Sequence, residues 1–147
     1  MASLLTLTTA QPSRTLAPGE ILITAGDAGG ELYILESGRL TVARDGVDIA
    51  TIAEPGALIG EMSVLLGTEN TATVRATTAA SVRVVKDALA YLERQPLVVL
   101  RVAMLLSQRL DATSALLVEL RKGTDAKSPD QGVFARLMSA LTAQASS

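Results

Sequence analysis

The stretch Gly60-Glu61-Met62-Ser63-Val64-Leu65-Leu66-Gly67-Thr68-Glu69-Asn70-Thr71-Ala72-Thr73-Val74 decides the reading of this chain. A glycine and a carboxylate open a short apolar turn, which Gly67 closes before a β-type run begins at Ala72. A short helix starting near Glu61 presents unpaired backbone N–H groups and a partial positive dipole, both suited to an anionic phosphate. Thr71 offers a hydroxyl donor to a phosphate oxygen, and the small Gly60 and Ala72 let ligand atoms approach the backbone. The plainer alternative for Glu61 is a helix-capping or solvated carboxylate.

On both sides of this motif the sequence alternates short β-rich runs with glycine: Ile21–Thr24, Glu31–Leu35, Leu40–Ala43, Asp48–Ile52, Ala72–Ala76 and Ser81–Val85. That spacing predicts an all-β sandwich or roll. Asp45-Gly46 favours the positive φ angles of a tight hairpin, and Gly26, Gly29, Gly30, Gly38 and Gly56 supply other corners. Beyond Lys86 the period becomes helical. Asp87 is placed to cap a short helix through Glu93, and Pro96 to open a long one that runs to Arg121 and stops at Gly123.

In the long helix Val99, Ala103, Leu106, Leu110, Thr113, Leu117 and Leu120 recur at spacings of four and three, so they share one stripe. Val98, Leu100, Val102, Leu105 and Leu116 lie off it and are also apolar. A helix packed only on its own barrel would account for one apolar face; two faces suit a helix touching barrel and partner together. Residues 123–130 read as a polar linker, and Gln131–Gln144 as a short amphipathic helix carrying Val133, Phe134, Leu137, Met138 and Leu141.

These features resemble the cyclic nucleotide-binding domain family, the module of catabolite activator proteins, cyclic AMP-dependent kinase regulatory subunits and cyclic nucleotide-gated channels. The family pattern is Gly-Glu, a short helix, then Arg-(Ser/Thr/Ala)-Ala-x-Val, and this chain keeps Gly60-Glu61, the spacing and Thr71-Ala72-Thr73-Val74. Gly19-Glu20-Ile21, Gly26-Asp27, Glu31-Leu32-Tyr33-Ile34, Gly38 and Pro55-Gly56 also stand where that family places corners and strands. The resemblance implies a mainly β fold with helices: a β-roll or jelly-roll over about residues 1–122, ending in a dimerisation helix (about 96–122), then residues 123–147 as linker and terminal helix.

Carried over by motif, the ligand set is Gly60, Glu61, Met62, Ser63, Asn70, Thr71 and Ala72, with the Glu61 carboxylate accepting a ribose hydroxyl. Leu106–Ser114 resembles the dimerising helix of catabolite activator proteins, which implies that Thr113 and Ser114 meet the base, Ser114 from the second protomer. The competing role for Thr113 is a polar residue setting helix register. Val99, Ala103, Leu106, Leu110, Leu117 and Leu120 would form the dimer seam.

One position departs from the pattern: Asn70 stands where the family carries its phosphate-binding arginine. A lost charge-assisted hydrogen bond is worth roughly 1.5–3 kcal/mol, or about ten- to a hundredfold in affinity. Arg75 is five residues along the strand from Asn70, and at ~3.3 Å per residue it lies too far to substitute. Its ordinary role is that of a surface strand residue.

Composition narrows the chemistry. The chain has 147 residues, 48% of them apolar, enough for one compact core. It contains no Cys and no His, which removes disulfides, thiolate and imidazole metal sites and His-based nucleophile pairs. No cofactor, metal or catalytic residue is therefore expected. The 13 Lys and Arg are scattered and the net charge is −2, so no basic field exists to gather nucleic acid. The amino terminus lacks the features of a secretory signal, Leu97–Leu106 is too short to span a bilayer, and a cytoplasmic location without membrane attachment is expected. With only residues 124–147 after the long helix, and Gln131–Gln144 resembling the helix that leads into a helix-turn-helix, a complete DNA reader is not expected.

Together these readings predict a dimeric sensory module for cyclic AMP or cyclic GMP, with a protein partner engaged through the terminal helix. The alternative is a degenerate domain that kept fold and seam, lost its ligand and serves assembly.

Overall fold

The structure is a computed structural model, described over residues 2–124. Elements follow the order α1 (Leu4–Leu7), β1 (Ser13–Leu16), β2 (Ile21–Ile23), β3 (Leu32–Ser37), β4 (Leu40–Arg44), β5 (Val47–Ile52), β6 (Leu58–Ile59), α2 (Glu61–Leu66), β7 (Thr73–Ala76), β8 (Ala80–Val85), α3 (Ala88–Glu93) and α4 (Pro96–Thr124). Eight strands form two antiparallel four-stranded sheets, in the orders β1-β8-β3-β6 and β2-β7-β4-β5. The mainly β roll with flanking helices expected from the sequence is the observed fold.

The core follows from period-two alternation. Ala80, Val82 and Val84 of β8 and Val74 and Ala76 of β7 join Leu35, Leu40 and Leu16 in one buried cluster between the sheets. β3 is buried along Leu32–Leu35 without alternation, because α1 and α2 cover its second face. Asp45 (φ 52°) and Gly46 (φ 77°) make the tight β4–β5 turn that the sequence signals. Along that hairpin Val42 pairs with Ala50 and Ala43 with Asp48, which leaves Ile49 as the extra residue of a bulge on β5. Among the described residues β5 pairs only with β4 and is the edge of its sheet.

α1 is pinned by a half-buried ion pair. Arg83 Nη2 donates to Glu36 Oε2 at 2.8 Å, Arg83 Nη1 donates to the Leu5 carbonyl at 2.6 Å, and Ser81 Oγ donates to Glu36 Oε1 at 2.9 Å. Burial pushes the Glu36 carboxyl up, but hydrogen bonds from Ser13, Ser81 and Arg83 outweigh it, and the net effect holds the group below its ordinary value. The folded state thus favours the ionised form. Its contribution is fully present above the unfolded-state value and is lost as pH falls through the depressed folded one. Glu36→Gln is expected to cost about 1–2 kcal/mol at pH 7 and progressively less toward pH 3. Urea midpoints of both proteins across that range check this; a constant difference would remove Glu36 from the acid response.

Three local expectations are corrected. Asp87 occupies the N-cap position of α3 but at φ 48°, and its side chain makes no capping bond, so α3 starts without that help. α4 does not stop at Gly123; it continues to Thr124, since one glycine near a helix end costs only about 1 kcal/mol. α1, β1 and β6 are elements beyond the β-rich runs read from the sequence. The Gln131–Gln144 segment and most of the linker lie outside the described residues.

The chain divides into two compact units, Met1–Leu105 and Leu106–Ser147, the division falling within α4. In the first, Val98 and Val102 are buried while Leu97, Val99, Leu100 and Met104 are exposed. In the second, Leu110, Leu116, Val118 and Leu120 are exposed along the helix. No helix among the described residues is long and apolar enough to cross a membrane.

Candidate functional site

The site grows from the β6–α2 junction. Gly60 adopts φ +86°, a left-handed conformation, and a Cβ there would also sit 2.9 Å from the Glu31 carbonyl oxygen. Only glycine meets both conditions. Glu61, the first residue of α2, is 7% exposed, which is rare for a carboxylate and argues against the solvated alternative. Ser63 is equally buried, and its hydroxyl donates to the Gly60 carbonyl at 3.1 Å. Met62, Leu65 and Leu66 face outward. Gly67, at φ 65°, ends the helix with its N–H on the Ser63 carbonyl.

The return segment is held by the loop between β2 and β3. The Asn70 N–H donates to the Asp27 carbonyl at 2.9 Å, and the Asn70 carbonyl accepts from the Gly26 N–H at 2.7 Å. Ala28 and Glu69 form an isolated bridge, and the Ala25 N–H donates to Thr73 Oγ1 at 3.1 Å. Thr71 follows, exposed, and then Ala72, half-buried. The sequence reading placed Gly26-Asp27 and Gly29-Gly30 as corners only; the hold of Gly26 and Asp27 on Asn70 was missed, though the density of glycine there was the available signal.

Two cavities flank this arrangement. One of about 240 Å³ is lined by Ile23, Asp27, Glu31, Tyr33 and Asn70 among others. The other, about 400 Å³, lies against Gly29, Val64, Thr68, Glu69, Asp87 and Leu89. Among the described residues neither wall carries a Lys or Arg; the charged groups are carboxylates. The Tyr33 hydroxyl donates to the Glu31 carboxylate, and burial, with that bond, pushes the phenol well above its ordinary value.

Arg75 does not supply the missing cation. Its neighbours Val74 and Ala76 face the core, so Arg75 projects from the opposite face of the sheet. There it binds Asp48 with both terminal nitrogens, at 3.1 and 2.9 Å. That pair also holds the Asp48 carboxyl below the usual carboxylate range. Thr113, exposed, and Ser114, half-buried, lie on α4 within the second unit.

The structure thus brings Gly60, Glu61 and Ser63 together at the head of α2, and loop contacts fix Asn70 just ahead of Thr71 and Ala72. Comparison with known proteins identifies the family. The profile of the family described as cyclic nucleotide-binding domain matches residues 13–90. An acetyltransferase Pat of Mycolicibacterium smegmatis is 42% identical over 60 residues, 39% of this chain and 18% of that protein. A cAMP-dependent protein kinase regulatory subunit of Yarrowia lipolytica is 41% identical over 59 residues, 40% of this chain and 16% of the relative. The match therefore spans less than a fifth of either relative. Among solved structures, the catabolite activator protein of Thermus thermophilus superposes with a TM-score of 0.65 at 30% identity, covering 78% of this chain and 57% of that one. With the family profile matching residues 13–90, more than half of the chain, and the whole-fold likeness to that structure, the chain belongs to the cyclic nucleotide-binding domain family.

Proposed function

We propose that this domain is a cytoplasmic sensory module that binds a cyclic nucleotide, cyclic AMP first, and works as a dimer paired along α4. The observation that carries the reading is Glu61, a carboxylate 7% exposed at the head of α2 behind a left-handed glycine. In a domain of this family such a group is set to accept a ribose hydroxyl, with Gly60, Met62, Ser63 and Ala72 offering backbone and Thr71 a hydroxyl to the phosphate. Thr113 and Ser114 are the proposed base contacts. Support for pairing comes from the exposed apolar residues of α4, including Val99, Leu110 and Leu120, together with Ala103, Leu106 and Leu117 on the same stripe. Ligand would regulate only through its difference in affinity between two arrangements of the terminal helices, and Gln131–Gln144 is the proposed handle for a protein partner.

Asn70 favours a second reading, a ligand-free assembly module, because the family's phosphate-binding cation has no replacement in the cavity walls. Isothermal titration with cyclic AMP and cyclic GMP separates the two. Measurable heat from the natural chain, weakened about tenfold by Glu61→Gln, is the expected result. Silence at millimolar ligand, with a dimer still present in sedimentation, would leave the assembly reading standing instead.

A further inference from the structure

We propose that the β2–β3 loop, residues 24–31, is the template that sets the geometry of the whole cradle, and that Gly29 is its positioning residue. This rests on the nucleotide reading above for its consequence, though the packing it describes exists without ligand. Both ends of the cradle lean on that loop. Gly26 and Asp27 hold Asn70 from both sides, and Ala28 bridges Glu69. The Glu31 carbonyl oxygen lies 2.9 Å from where a Cβ at Gly60 would be. Gly29 carries the remaining contact, the one on α2 itself.

The glycines of the loop differ in why they are glycine. Gly26 (φ +88°) and Gly30 (φ +127°) occupy left-handed backbone with nothing within 4 Å of a built Cβ. Gly29 has no such φ, yet its Cβ would lie 2.4 Å from Ser63 Oγ, 2.6 Å from Ser63 Cβ and 3.3 Å from the Thr68 carbonyl oxygen. Its requirement is one of space alone. Ser63 in turn is bonded to the Gly60 carbonyl at 3.1 Å, so whatever pushes Ser63 also pushes the Gly60-Glu61 turn. Normal contact is about 3.5 Å, so a methyl at position 29 displaces this face of α2 by roughly 1 Å.

A double-mutant cycle tests the template in the full chain carrying Asn70→Arg, with two readouts. Gly29→Ala is introduced with Ser63 intact and with Ser63→Gly, which removes the two Ser63 atoms and leaves only the milder 3.3 Å approach to the Thr68 carbonyl. In the absence of ligand, the amide resonances of residues 61–66 should shift on Gly29→Ala when Ser63 is intact and shift several-fold less in the Ser63→Gly background. On Gly29→Ala, cyclic AMP affinity should fall about tenfold when Ser63 is intact and less than about twofold when measured against Ser63→Gly alone. Equal shifts in both backgrounds, no shift, or shifts without loss of affinity in a chain that binds would each overturn the proposal. Should no variant bind nucleotide, the functional reading fails while the resonance cycle still decides the template. If Gly29→Ala alone unfolds the chain, recovery of the fold on adding Ser63→Gly reads the same contact, and no recovery refutes it.

Discussion

Asn70→Arg is expected to raise cyclic AMP affinity by about ten- to a hundredfold. The backbone at this position is already fixed, since its N–H and carbonyl are both held by the Gly26-Asp27 turn. A change of side chain therefore need not move the segment. Asn70 lines the 240 Å³ cavity beside Asp27 and Glu31, whose carboxylates can orient an incoming guanidinium. That group stays protonated at any working pH and adds a charge-assisted bond worth roughly 1.5–3 kcal/mol to a phosphate, which at about 1.4 kcal/mol per tenfold gives the stated range. Parallel titrations of the two proteins measure it. Equal affinities would place the phosphate away from residue 70, and silence from both would end the cradle reading.

Gly38→Ala is the substitution expected to damage the fold most, by about 2–5 kcal/mol. Gly38 turns β3 into β4 at φ +88°, and its Cβ would stand 2.4 Å from the Ala79 carbonyl oxygen and 2.7 Å from Ala80 Cα. Left-handed backbone costs a residue with a side chain roughly 1–2 kcal/mol, and overpacking adds about 1–3. The obstructing atoms are backbone at the start of β8, which has strand partners on both sides and cannot swing away as a side chain can. Gly26→Ala, with a matching φ and open space, should lose only the first part. Urea unfolding of both variants separates the contributions. Equal losses would mean that the β8 start yields freely.

The roll was legible because its signals are local. Glycine corners, the Asp45-Gly46 turn and apolar runs such as Leu32–Leu35 each fix structure within a few residues. β6 escaped because two residues show no period, and β1 because only Leu16 of Ser13–Leu16 is buried. α1 is a single turn whose Ser3 cap is its one local sign. At the site the same division holds. Gly60-Glu61 and Thr71-Ala72 were visible by spacing, and the absence of the family arginine by simple substitution. The dependence of that segment on Gly26, Asp27 and Gly29 was not visible, since those partners are tens of residues away in sequence and the contacts are backbone bonds or bare space. Likewise the pairing of Arg75 with Asp48 crosses β4 and has no trace in either strand alone.

That pairing has a consequence for solubility. β5 exposes Val47 and Ile49 on a strand with one side open among the described residues, the kind of ribbon on which foreign strands stack into aggregates. Asp48 is its single charge, and Arg75 keeps that carboxylate ionised into acid. The bulge at Ile49 breaks the flat register a docking strand would need. An apolar margin can thus remain open to solvent without becoming a seed for polymer growth.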